Sequence, residues 1–134
     1  MSDATKAQEV LAEAGLLPRE MPKNYTFDKV REILDSLAGA GAEDLRAAAA
    51  AARALALRGP LGAAIFVKHH LAGAHEAEVD RVDEGEEGAR FGVLVYPEGE
   101  VVVASAHLPR GIDAGTRLRY DPAAGRYEEV GSRR

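Results

Sequence analysis

The chain contains no cysteine. That single absence removes disulfides, thiolate metal sites and a Cys nucleophile together, and a reducing interior is the natural setting. Tryptophan is also missing, aromatics make up only 5% of residues, and asparagine and glutamine occur once each, as Asn24 and Gln8. Depletion of labile side chains is one thermophile trait. A GC-rich genome would enrich Ala, Gly and Arg in the same way, and the composition leaves both origins open.

No long apolar run exists. The longest, residues 47–52, stops at Arg53 and is far shorter than the roughly 20 residues that span a bilayer. Residues 1–13 are charged and lack the apolar stretch of a signal peptide, so a cytoplasmic protein with no membrane contact is expected. There is no cationic excess either: 17 Lys and Arg stand against 22 Asp and Glu, a net charge of −5. Diffuse phosphate binding needs clustered Lys and Arg to displace counterions, so composition argues against nucleic acid as a partner. A Gly-x-Ser-x-Gly elbow, a Walker loop and a Gly-x-Gly-x-x-Gly turn are all absent.

The 134 residues suffice for one domain that buries roughly two-thirds of its unfolded surface. Residues 1–60 read as helical and residues 61–134 as strand-rich, together one cooperative domain. Residues 4–14 have a helical period, with Val10, Leu11 and Ala14 on one face. Thr26 suits the N-cap of a second helix, whose Phe27, Val30, Leu34 and Leu37 form a stripe. Glu43 and Asp44 open a third helix, favoured there by the helix dipole, and Gly59-Pro60 ends it. After Pro60 the period changes. Residues 63–67 fit a strand or the start of a helix. Residues 76–83, 90–96, 100–107, 116–120 and 126–130 are strand-like, and Pro97-Glu98-Gly99 marks a hairpin. These elements predict an α+β fold: two or three N-terminal helices on a five- to six-stranded, mainly antiparallel curled sheet or small barrel.

Five groups of residues invite a functional reading. His69, His70 and His75 precede Glu76, Glu78 and Asp80. Imidazole and carboxylate suit zinc or another first-row metal, and His107 could complete a metal or acid–base site. The spacing is not that of His-Glu-x-x-His, and His70 and His75 stand at an awkward helical offset with Gly73 between them. Ser105 and His107 would share a face of one strand. The acidic run 80–88 lacks the ligand schedule of a calcium loop and reads as a solvated turn. Leu16, Leu17 and Met21, in an extended proline-rich segment, could insert into a partner. The flat Ala face of the third helix, with Ala49 and Leu55, could pack internally or form a seam with a second copy.

The strand-rich half resembles the cold-shock and related five-stranded OB barrels. Phe91-Gly92-Val93-Leu94 is similar to the glycine-containing aromatic motif of the family's second strand, and Val101-Val102-Val103-Ala104-Ser105 stands where its third-strand motif lies. The resemblance implies a small β-barrel or curled sheet but does not carry over nucleic-acid binding; an OB-type nucleic-acid surface, as an alternative, would use Phe91, Arg117, Arg119, Tyr120 and Arg126. Such surfaces stack bases on exposed rings, whereas Val93, Val102 and Ala104 stand where aromatics belong. The expectation is therefore a non-catalytic interaction module that self-associates or docks onto a protein, with no cofactor. An OB-type nucleic-acid binder and a metal-dependent enzyme built on the histidines are the alternatives.

Overall fold

The computed structural model describes residues 3–73 and 75–132. Four helices, α1 (Asp3–Glu13), α2 (Tyr25–Ser36), α3 (Ala42–Ala54) and α4 (Pro60–Ala72), precede five strands. These are β1 (Glu76–Glu84), β2 (Arg90–Tyr96), β3 (Gly99–Ala104), β4 (Thr116–Asp121) and β5 (Arg126–Ser132). The α+β class is as expected from the sequence, with one helix more than expected.

That extra helix is the run 63–67 left open between strand and helix. Pro60 occupies its first turn, where a missing N–H costs nothing. Every residue from Gly62 to Val67 is buried, because α2 and α3 cover one side of α4 and β3 the other. A helix enclosed all round carries no amphipathic stripe. α2 also starts differently: Asn24, not Thr26, is its N-cap, with the side-chain oxygen accepting from the Phe27 N–H at 3.0 Å.

The strands form one antiparallel sheet in the order β3-β2-β1-β4-β5. No β3–β5 ladder closes it among the described residues, so the sheet is curled and open. Register shifts between Val79 and Arg81 and between Arg117 and Leu118 add local twist, as bulges do. The inner face carries Val79, Leu94, Val101, Val103, Leu118 and Tyr127, all buried. Leu94 lies opposite Val101, and Val103 opposite Gly92, so Leu94 and Val103 point inward from adjacent strands. Gly62 brings the backbone of α4 onto the β3 edge, where a side chain would meet Glu100 and Val101. The other edge, β5, exposes Glu128 and Glu129, whose like charges discourage pairing with another strand. Among the described residues no helix is long and apolar enough to cross a membrane.

One expected strand is shorter than its pattern. Ser105 and His107 lie in a 3-10 turn after β3 and share no strand face. The chain must leave the sheet there so that Leu108 can fold back over Gly92, where an added Cβ would stand 2.6 Å from the Leu108 Cδ1.

Candidate functional site: a histidine cleft

Gly73 decides the geometry of the histidines. It caps α4 in the left-handed conformation at φ +72°, which glycine adopts without steric cost. The chain reverses there, and His75 returns beneath the last turn of the helix. His70 Nδ1 and His75 Nε2 then lie 2.9 Å apart, in hydrogen-bond contact. Counting five residues along an unbroken helix misses this pair, because the helix ends between its members.

Apolar rings enclose His75. Its centroid is 4.9 Å from that of Phe66 and 4.9 Å from that of Tyr120. Tyr120 meets Phe66 and Tyr127 edge to face, and the Tyr127 and Tyr96 hydroxyls share a buried hydrogen bond of 2.6 Å. Burial pushes the Tyr96 hydroxyl up to about 12 and drives that of Tyr127 further in the same direction. His75 is held down to about 4, first by burial and then by the proximity of His70 and His69. His70 is lowered from its usual 6.5 by burial. Both rings are neutral at neutral pH.

A neutral imidazole has one N–H and one bare nitrogen. Among the described residues, His75 Nδ1 is the buried side-chain nitrogen with no partner. A buried N–H with no acceptor is rarer in folded proteins than an under-satisfied acceptor, so the favoured tautomer leaves this nitrogen bare. His75 Nε2–H then donates to His70 Nδ1, and His70 carries its hydrogen on Nε2. Among the described residues that atom has no hydrogen-bond partner, and both histidines line a cleft of about 640 Å³ together with His69, Tyr120, Glu76 and Arg119. Arg119 donates to Glu76 Oε1 at 2.6 Å, and Arg117 lies 3.6 Å from Oε2. These arginine contacts hold the Glu76 carboxylate below the usual range.

His69 turns the other way, toward the hairpin. Its Nε2 is 2.7 Å from Glu98 Oε1, while Lys68 Nζ is 2.8 Å from Oε2, so one carboxylate ties two consecutive α4 residues to the β2–β3 turn. Burial opposes the charge on Glu98, but the bonds from Lys68 and His69 prevail and its pKa is lowered. Glu98 was no candidate in the sequence. Only the packing of α4 against the hairpin brings it to the histidines.

The structure gathers three of the four histidines. His107 sits after the far end of β3 from the turn that carries Glu98. Among the described residues no group of three or more His, Asp or Glu is arranged to hold a metal ion. His70 and His75 bond to each other instead of converging on a common point. Of the docking residues, Leu17, Ala49 and Leu55 are buried in this chain's own core, and Leu16 and Met21 are half-buried against it. Their apolar area is largely used within the fold. Of the nucleic-acid residues, Tyr120 is buried and the Phe91 ring is covered by the Arg58 guanidinium, 4.0 Å from its centroid. Arg117 and Arg119 face Glu76, and Arg126 donates to the Leu108 carbonyl at 2.8 Å.

His75 makes stability depend on pH. Between about 6.5 and about 4 the unfolded chain binds a proton that folded His75 refuses. Stability should therefore fall as pH drops through that window and level off below it. The loss is at most on the order of 3 kcal/mol, at about 1.4 kcal/mol per pH unit, and smaller to the extent that solvent screens the ring. Urea midpoints measured from pH 7 to pH 4 should drop for the wild type and drop less for His75→Phe. Equal slopes in the two proteins would show that the ring is not held neutral.

Compared with protein-family profiles, with curated proteins and with solved structures, the chain finds no match in any of the three.

Proposed function

We propose that this chain is a binding module for a small molecule bearing a carboxylate or phosphate group, held in the histidine cleft. The observation that carries this is the pairing of the two rings, His70 Nδ1 lying 2.9 Å from His75 Nε2, which leaves the other nitrogen of His70 free for a ligand in the cleft that His70 and Arg119 both line. A neutral donor beside a guanidinium recognises an oxyanion, and hydrogen bonds with an ionised partner are the stronger kind. The volume lies within the usual range for small-molecule sites. Arg119 is held in place by an exposed ion pair with Glu76. Exposed pairs of this sort contribute little, so the arginine can exchange its partner for a ligand. Among the described residues no serine, threonine or cysteine lines the cleft, which favours binding over covalent chemistry.

The test is an NMR titration of the four imidazoles with inorganic phosphate, repeated with acetate and with citrate to separate the two anion classes. The bound anion should shift His70 and His75 together and raise the pKa of His70. Affinity should grow as pH falls below 6.5, because protonated His70 binds the anion better. His70→Ala should weaken binding about tenfold or more, the value of one hydrogen bond to a charged group. His107 serves as the control. Anion shifts that reach His107 equally, or that leave His70 unmoved, would overturn the proposal.

A further inference from the structure

A second cleft, of about 400 Å³, lies where the connection between β3 and β4 folds over the sheet. Its floor is apolar, formed by Val82, Leu108 and Ile112, and its rim carries Arg90 and Arg110. The floor is fixed. Leu108 is buried in the space that Gly92 leaves open, its carbonyl accepts from Arg126, and Gly115 N–H donates to the Val79 carbonyl at 2.9 Å. A preformed site of this kind loses little entropy when it is filled.

The rim arginines differ from those around Glu76. Neither Arg90 nor Arg110 has a carboxylate within ion-pair distance among the described residues, although Glu84 is the cross-strand neighbour of Arg90. Two guanidinium groups with no ion pair among the described residues thus border one apolar floor in a protein of net charge −5. The exposed Ser105 hydroxyl borders it too.

We infer that this cleft is a second binding site, selective for a small amphipathic acid whose apolar body lies on Val82, Leu108 and Ile112 and whose anionic head sits between Arg90 and Arg110. The guanidinium fork suits a carboxylate bidentately. The apolar floor supplies burial.

Three ligands of one chain length test this: octanoate, octylammonium and octanol. Each is titrated into the full chain and followed by the backbone amide resonances. Octanoate should perturb Gly92, Gly111 and Ile112 and bind about tenfold more tightly than octanol, with octylammonium weakest. The double variant Arg90→Gln/Arg110→Gln, changed only at exposed positions and checked for an unchanged spectrum elsewhere, should bind octanoate no better than octanol. His70→Ala should leave octanoate binding intact, which separates this site from the histidine cleft. Octanoate perturbation elsewhere but not at these three amides, equal binding of octanoate and octylammonium, or full affinity in the double variant would each overturn the assignment.

Discussion

The Ala52→Glu variant should be unfolded at room temperature, whereas Ala49→Glu should be tolerated at a measurable cost. Both alanines are buried on α3 and, three residues apart, share one face, but only Ala49 lies at the edge of a surface groove. Ala49 borders a groove shared with Val10 of α1 and Ala14 just after it, and the same groove is lined by Arg46 and Arg53. The carboxylate introduced by Ala49→Glu can lift toward those guanidinium groups and stay partly hydrated. Ala52 sits on the same buried face with Leu45 and Ala48 but does not border that groove, in a helix that also packs against α4. The facing surface of α4 is apolar, with Ala63, Ala64 and Val67 all buried. Alanines allow the close helix approach that this seam uses, and a longer side chain has nowhere to go. An unpaired carboxylate there costs several kcal/mol and adds overpacking of about 1–3 kcal/mol. The sum rivals the roughly 5–15 kcal/mol that hold a typical domain together. Circular dichroism and urea titration would distinguish the two variants. A folded Ala52→Glu protein with a wild-type midpoint would show that the seam is open to solvent or to a second copy.

How much of this was legible in the sequence depends on the range of the determining contact. Strands were readable where alternate side chains meet one buried face, as with Val101 and Val103 or Leu118 and Tyr120, each set bounded by turn residues. The hairpin at Pro97-Glu98-Gly99 was readable for the same local reason. α4 was ambiguous because periodicity reports a difference between two faces, and a helical run buried throughout, as residues 62–67 are, has none. Residues 105–107 continue a strand pattern, but Leu108 has a better position over Gly92 than along the ladder, and that preference lies in tertiary packing.

The histidine cleft was legible in its ingredients and not in its assembly. His69, His70 and His75 stand out by type and proximity in the chain. Their arrangement hinges on Gly73, which changes the relevant geometry from helical offset to chain reversal. A glycine just past a helical run, followed by a strand pattern, is a signal that could have suggested the fold-back. Glu98, Tyr127 and Phe66 gave no such signal. They reach the site from three different elements, and only packing selects them from other residues of the same kind.

Phe66→Ala should cost about 3–5 kcal/mol, the usual range for emptying an aromatic position in a core, and should also change the chemistry of the cleft. Phe66 is fully buried at the centre of the ring cluster, with centroids 5.8 Å from His70, 4.9 Å from His75 and 5.0 Å from Tyr120. Removing it deletes the apolar wall against His75 and leaves a space beside an unpartnered ring nitrogen. An apolar void stays dry, but a void beside a polar atom with further donors at hand can hold water. Water there would hydrate the imidazolium, and the pKa of His75 should climb from about 4 toward its usual 6.5 as the desolvation that lowers it is relieved. Two opposed effects on pH dependence follow. The variant is less stable everywhere, yet between pH 6.5 and 4 it should lose less further stability than the wild type, since its folded state now accepts the proton too. Phe66→Leu keeps most of the wall and should fall between the two proteins on both measures. Urea midpoints with an NMR titration of the His75 ring would resolve the two effects. Lower stability with an unmoved His75 pKa would confine Phe66 to packing and assign the neutral state of the ring to Tyr120 and the neighbouring histidines.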